Sequence, residues 1–153
     1  MRRAPLLSAG LIALSLVAKP ACAGTFTAGA SLGVATGSGK TQGTVAGVVG
    51  YQAGLAAAGA VFGGVDQSLA VQTSGGDARW GTSARLGVSI PVAGSLYAVT
   101  GYHYGSGPNA TSVGAGYERG FGPTFGRAEY RRFFREGGLG STDNVSVTFG
   151  LRF

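Results

Sequence analysis

The sequence predicts an all-β protein, specifically an eight-stranded antiparallel up-and-down transmembrane β-barrel. Three observations lead to this class: segments of about ten residues alternate between apolar and polar, glycine is frequent, and charge is scarce. Of the 153 residues, 30 are glycine, 12% are charged and 44% are hydrophobic. So much glycine argues against a helical protein, since each interior glycine costs a helix roughly 0.5–1 kcal/mol relative to alanine. The hydrophobic content argues against a disordered chain.

The last ten residues, 144–153, show the alternation most clearly. One face carries Val145, Val147, Phe149, Leu151 and Phe153, and the other carries Asn144, Ser146, Thr148, Gly150 and Arg152. A period of two is that of a β-strand with one apolar and one polar face. A soluble β-sandwich would give the same pattern, so it stays open as an alternative at this point.

Seven earlier segments have a similar length and character, and none shows a helical period with caps. They are residues 25–35, 44–52, 55–65, 82–90, 96–104, 111–118 and 124–133. Strands of 9–11 residues can cross a bilayer when tilted, and closure into a barrel leaves no unpaired strand edge in lipid. These segments therefore predict eight spanning strands.

The lengths of the connections support this topology. The two longest, 66–81 and 134–143, are the third and seventh connections, whereas 52–54 and 91–94 are tight. In outer-membrane barrels the periplasmic turns are short and the outer loops are longer. The order of lengths therefore predicts that the odd-numbered connections lie outside.

Six charged residues fall on the polar faces of these segments. They are Arg85, Glu118, Arg127, Glu129, Arg131 and Arg152. An arginine on the lipid face would cost about 2–4 kcal/mol at the membrane midplane, so we expect all six to face the lumen as an ion-pair network that blocks large ion flow. Arg132 breaks the pattern, and we expect it at the outer rim.

Aromatic residues are expected to form two girdles at the membrane interfaces. The outer girdle would contain Trp80, Tyr102, Tyr104 and Tyr130, and the periplasmic girdle would contain Phe26, Tyr51, Tyr117, Phe149 and Phe153.

The first 23 residues have the pattern of a secretory signal peptide. A basic start is followed by an apolar run over residues 4–18 and by Ala21-Cys22-Ala23, an A-x-A site. We expect cleavage after Ala23, which leaves a barrel of residues 24–153. Removal of Arg2, Arg3 and Lys19 takes three of the 12 basic residues and none of the six acids, so the net charge falls from +6 to +3.

The C-terminal third resembles a known family. Gly116-Tyr117-Glu118, Phe121-Gly122-Pro123, the run 127–131 and the ending 148–153 resemble the last hairpins of the outer membrane protein A barrel and the opacity-type surface proteins of the porin family. The resemblance implies a bacterial outer-membrane location, contact with lipid and lipopolysaccharide, and recognition of the terminal Phe153 by the barrel-assembly machinery.

Together these features predict a non-catalytic, monomeric cell-envelope protein. Its function would be envelope integrity or surface interaction through the outer loops. With one cysteine and one histidine, no metal or cofactor site is predicted. No nucleic-acid partner is predicted either, because the basic residues share strand faces with acids.

Two alternatives stay open. In a lipid-A-modifying outer-membrane enzyme, His103 could serve as the base and Ser106 as a nearby nucleophile, although the two are not in a His-x-Ser step. In a small-solute pore, the many inward glycines would leave room for passage.

Overall fold

The protein is a closed antiparallel β-barrel of eight strands, which confirms the predicted fold class. A computed structural model describes residues 24–37, 39–55, 61–73, 78–90, 93–105, 108–138 and 140–153; the predicted signal peptide lies outside them. The strands are β1 (Gly24–Gly37), β2 (Lys40–Gly54), β3 (Val61–Gln72), β4 (Arg79–Ile90), β5 (Gly94–Gly105), β6 (Ala110–Phe121), β7 (Thr124–Arg135) and β8 (Ser141–Arg152). Each strand pairs with its sequence neighbour, and β1 pairs with β8. Within the described ranges, no helix is long and apolar enough to cross a membrane.

The barrel has two ends that differ in what they contain. Phe26 and Phe153 exchange backbone hydrogen bonds of 3.3 and 2.9 Å where β1 meets β8. We call this the terminal end; β2, β4 and β6 end there, and β3, β5 and β7 begin there. At the opposite, distal end β1, β3, β5 and β7 end and β2, β4, β6 and β8 begin, so the odd-numbered connections join strands there.

The two faces of the sheet are reversed relative to those of a soluble protein. Among the described residues, eleven polar or charged residues are buried but only six hydrophobic ones. The outward side chains are mostly apolar and exposed: the exposed fraction is 68% for Phe149, 65% for Leu32 and 58% for Leu86. A continuous apolar exterior of this kind needs lipid around it. This arrangement excludes the soluble β-sandwich, which would bury its apolar face.

The prediction for β3 was wrong. The strand spans Val61–Gln72 rather than 55–65, and the predicted loop 66–81 contains the second half of β3 and the start of β4. The inward residues Asp66, Ser68 and Gln72 are polar, which the interior of a barrel permits. Because of these polar residues, the sequence of this segment resembled that of a loop.

Consequently the contrast in loop length is smaller than predicted. The third connection is 73–78 and the seventh is 136–140. The predicted tight turn at 52–54 lies within β2, and the second connection is 55–60. The other seven strands overlap their predicted segments, and most run a few residues longer.

Aromatic rings gather on the outer face near both ends. Trp80 and Tyr104 are cross-strand partners towards the distal end. Phe26 and Tyr51 pair at the terminal end, with ring centroids 4.9 Å apart. Amphipathic and aromatic rings at these levels suit the two membrane interfaces.

We expect Val147→Arg to destabilise the barrel in lipid by about 2–4 kcal/mol. Val147 lies midway along β8, is 42% exposed and is flanked by Leu32 and Ala128 on the neighbouring strands. The matched control is Thr41→Arg, on the exposed distal part of β2, where the cost should fall to about 0–1 kcal/mol. Unfolding in lipid vesicles by urea measures both. Equal costs would contradict a lipid-facing position for Val147.

Candidate functional site in the barrel interior

Glycines at inward positions make room for one large aromatic ring inside the barrel. A Cβ atom at Gly87 or Gly116, which flank Tyr97 on β4 and β6, would collide with the tyrosine. Without those Cβ atoms the Tyr97 ring lies against the sheet, 6.2 Å from the Phe62 ring, and is 4% exposed. Its hydroxyl donates a 2.7 Å hydrogen bond to Glu129. The narrow interior is thus filled by side chains, as expected for eight strands.

Beside Tyr97, four charged side chains form a closed ring that we call the charged ring: Asp66, Arg85, Glu118 and Arg127. Arg85 contacts Asp66 through Nε at 2.9 Å and Glu118 through Nη1 at 3.3 Å. Arg127 contacts the same two acids through Nη1 at 3.1 Å and Nη2 at 2.6 Å. Each acid therefore bridges both arginines, and the four strands that supply them are held together across the lumen.

A third arginine and two aromatic rings complete this cluster. Arg152 donates to Glu118 Oε1 at 2.8 Å. The Arg127 and Arg152 guanidinium carbons lie 5.1 and 5.7 Å from the Phe125 ring centroid, and Arg85 lies 5.3 Å from that of Tyr97. Cation–π contact stabilises cations in places where water is excluded. The charged ring is buried, with Arg85 3% and Glu118 1% exposed.

A second group lies on the distal side of the charged ring. Arg131 pairs with Glu129 and donates to Ser83. Glu129 therefore receives hydrogen bonds from Arg131 and from Tyr97. Tyr97 links the two groups, because its hydroxyl bonds to Glu129 and its ring lies beside Arg85 of the charged ring.

All six charged residues selected from the sequence lie at inward positions. The structure brings Arg85, Glu118, Arg127 and Arg152 together and places Glu129 with Arg131. Sequence reasoning missed Asp66, because it was assigned to a loop. The sequence feature that could have revealed it is that Asp66, Ser68, Ala70 and Gln72 recur at every second position, which places their side chains on one face of a strand.

Arg132 lies outside the barrel, as its broken alternation suggested. It forms a two-point contact with Asp143 at 2.8 and 2.9 Å, and Tyr130 donates to the same carboxylate at 2.6 Å. The Arg132 side chain is 48% exposed. This pair sits near the distal ends of β7 and β8 and lies apart from the interior network.

His103 faces the lumen and contacts Ser112. Its Nε2 lies 3.0 Å from Ser112 Oγ, and its ring packs 4.8 Å from that of Phe133. The proposed partner Ser106 lies outside the described residues. Ser112 has no exposed surface, so a substrate cannot reach its hydroxyl in this arrangement. Among the described residues, no three His, Cys, Asp or Glu side chains gather as a metal site would require.

Distal to the charged ring, the lumen contains a cavity of about 160 Å³. Asp66 and Arg127 form its floor, and Glu129, Arg131 and His103 belong to its wall. Further towards the distal end it is lined by Gln72, Arg79, Arg135, Thr142 and Asn144. On the terminal side of the floor the lumen is occupied by the buried side chains of Phe62, Tyr97, Glu118 and Phe125. We call this cavity the distal vestibule.

Comparison with known proteins identifies the fold. No family model and no curated protein matches the sequence. The crystal structure of Neisserial surface protein A superposes with a TM-score of 0.62 at 13% identity, covering 84% of this chain and 95% of that one. A de novo designed transmembrane β-barrel gives a TM-score of 0.56 at 16% identity with the same coverage. The chain therefore has the fold of small transmembrane β-barrels.

We expect Asp66→Asn to destabilise the protein by about 3–5 kcal/mol, because it leaves two buried arginines short of a partner. Glu118→Gln should have a similar effect. The exposed counterpart, Asp143→Asn, should change stability much less. Urea unfolding of the three variants in lipid vesicles, followed by gel mobility of unboiled samples, measures the difference. A neutral Asp66→Asn would contradict the position of Asp66 in the charged ring.

Proposed function

We propose that this protein is a non-catalytic component of a bacterial outer membrane, which supports the envelope or makes surface contacts through its distal connections. The observation that carries the proposal is the combination of an apolar exterior with an interior locked by the charged ring. Such a barrel is a stable element in lipid, and the parts of it that can meet a partner are at its ends. The likeness to Neisserial surface protein A concerns the fold and supports this class of protein.

The orientation and assembly of the barrel are part of the same proposal. The connections at the distal end would face outwards, and the outward aromatic and charged residues there would contact lipopolysaccharide. Phe153 directly follows β8, lies next to Phe26 and is 73% exposed; in this proposal its ring is what the assembly machinery reads. The barrel would work as a monomer, since closure leaves no sheet edge to pair with a second copy.

A non-catalytic role predicts unchanged lipid A. The Ser112 hydroxyl is enclosed, and His103 faces the lumen rather than the surrounding lipid. Mass spectra of lipid A from cells with and without the gene should therefore show the same acylation pattern. Fractionation of the same cells should place the protein in the outer membrane, with a mobility shift between boiled and unboiled samples. A changed acylation pattern would support the enzyme instead, and a soluble periplasmic protein without a mobility shift would refute the location.

The charged ring also predicts low conductance. Ions would have to pass Arg85, Glu118 and Arg127, whose charged atoms are already in mutual contact at 2.6–3.3 Å. In planar bilayers the purified barrel should show no large, stable unitary steps, whereas a wide porin in the same bilayer serves as the positive control. Large steps from the purified protein would support the small-solute pore.

A further inference from the structure

We propose that the distal vestibule binds a tetrahedral dianion of the phosphate or sulfate kind, held between Arg79 and Arg135. This goes beyond the proposed envelope role, because it assigns a ligand site to the interior of the barrel. It rests on three features of the vestibule: uncompensated cations, acids that are engaged elsewhere, and a polar cavity of suitable size.

Among the described residues, Arg79 and Arg135 are the two vestibule arginines whose hydrogen bonds go to uncharged oxygens. Arg79 donates to the Pro108 carbonyl at 3.1 Å, and Arg135 donates to Thr142 Oγ1 at 3.1 Å. A guanidinium has five N–H donors, so each of them keeps donors for another acceptor. Both side chains line the same cavity from strands β4 and β7.

The acids that line the vestibule are already engaged with other cations. Asp66 is shared between Arg85 and Arg127, and Glu129 is held by Arg131 and Tyr97. Neither acid is paired with Arg79 or Arg135 in the described part of the chain.

Two described acids near the distal rim, Glu136 and Asp143, face away from the lumen. The Glu136 carboxylate accepts a 3.3 Å hydrogen bond from Tyr102, whose side chain is on the outer face of β5. Asp143 is held on the outer face by Arg132 and Tyr130. The described groups thus leave two positive charges in the vestibule without a paired acid, and an anion with two negative charges would balance them.

Size and lining also fit a small oxyanion. The cavity of about 160 Å³ can hold a tetrahedral anion together with several waters, since one water occupies about 30 Å³ of liquid. Hydroxyl and amide groups line the wall: Ser31, Thr44, Ser68, Thr142, Asn144 and Ser146. The planar fork of arginine matches the geometry of phosphate oxygens. The floor is closed by the charged ring, so such a ligand would enter and leave at the distal end.

Isothermal titration calorimetry on the barrel in neutral detergent micelles tests the site, with ionic strength held constant by sodium chloride. The probes are inorganic phosphate, inorganic sulfate, glucose 6-phosphate and, as the uncharged comparison, glucose. The test variant is R79Q/R135Q. The control R119Q/R132Q removes the same number of positive charges from the outer face. Gel mobility of unboiled samples establishes that each variant is folded.

We expect phosphate and sulfate to bind the wild-type barrel and glucose not to bind. The affinity should fall at least about tenfold in R79Q/R135Q and change less than twofold in R119Q/R132Q. If the double variant does not fold, R79Q and R135Q are measured singly, and each should weaken binding severalfold. Binding of glucose 6-phosphate would indicate a phosphate group on a larger molecule, and binding of the inorganic ions alone would indicate the free anion. Absence of anion binding by the wild type, or equal loss in the two double variants, would overturn the proposal.

Discussion

The interior of this barrel depends on one interaction, the shared contact of Arg85 and Arg127 with Asp66 and Glu118. Buried charges are tolerated only when they are paired and hydrogen-bonded, because the loss of hydration is large. Here each acid meets both arginines, so loss of any one member leaves the others incompletely paired. The same contact holds β3, β4, β6 and β7 at fixed distances across the lumen. It also sets the place of Tyr97, under Arg85, and through Tyr97 that of Glu129.

The exterior is why so much of the fold could be predicted from the sequence. Lipid imposes one requirement on every outward position, so apolar residues recur at every second place, as they do from Val145 to Leu151. The prediction failed where this signal was weak. In the second half of β3 the outward residues include Gln67, whose amide is satisfied by Thr82 Oγ1 at 2.7 Å. With polar residues on both faces, the segment could not be told from a loop by its composition.

The interior site was only partly accessible to such reasoning. Strand alternation gives the face on which a side chain lies, and it put Arg152 and Glu118 in the lumen. It does not give their partners, because these depend on the register and tilt of strands that are far apart in the sequence. Arg152 meets Glu118 across 34 positions, and Arg127 meets Asp66 across 61. His103 shows the same limit, because its contact with Ser112 depends on how β5 pairs with β6, which alternation alone does not give.

The two halves of the lumen consequently differ in chemistry. On the terminal side, aromatic rings and the charged ring fill the space. The two acids of the charged ring balance its two arginines, and Arg152 is an additional cation in this cluster. On the distal side, acids such as Glu136 and Asp143 are drawn to the outer face by Tyr102 and Arg132, and the arginines left inside line an open polar cavity. The tightly packed terminal half stabilises the barrel, so its contacts cannot change without a loss of stability. The proposed anion site therefore lies in the distal half, where Arg79 and Arg135 keep N–H donors for a further acceptor.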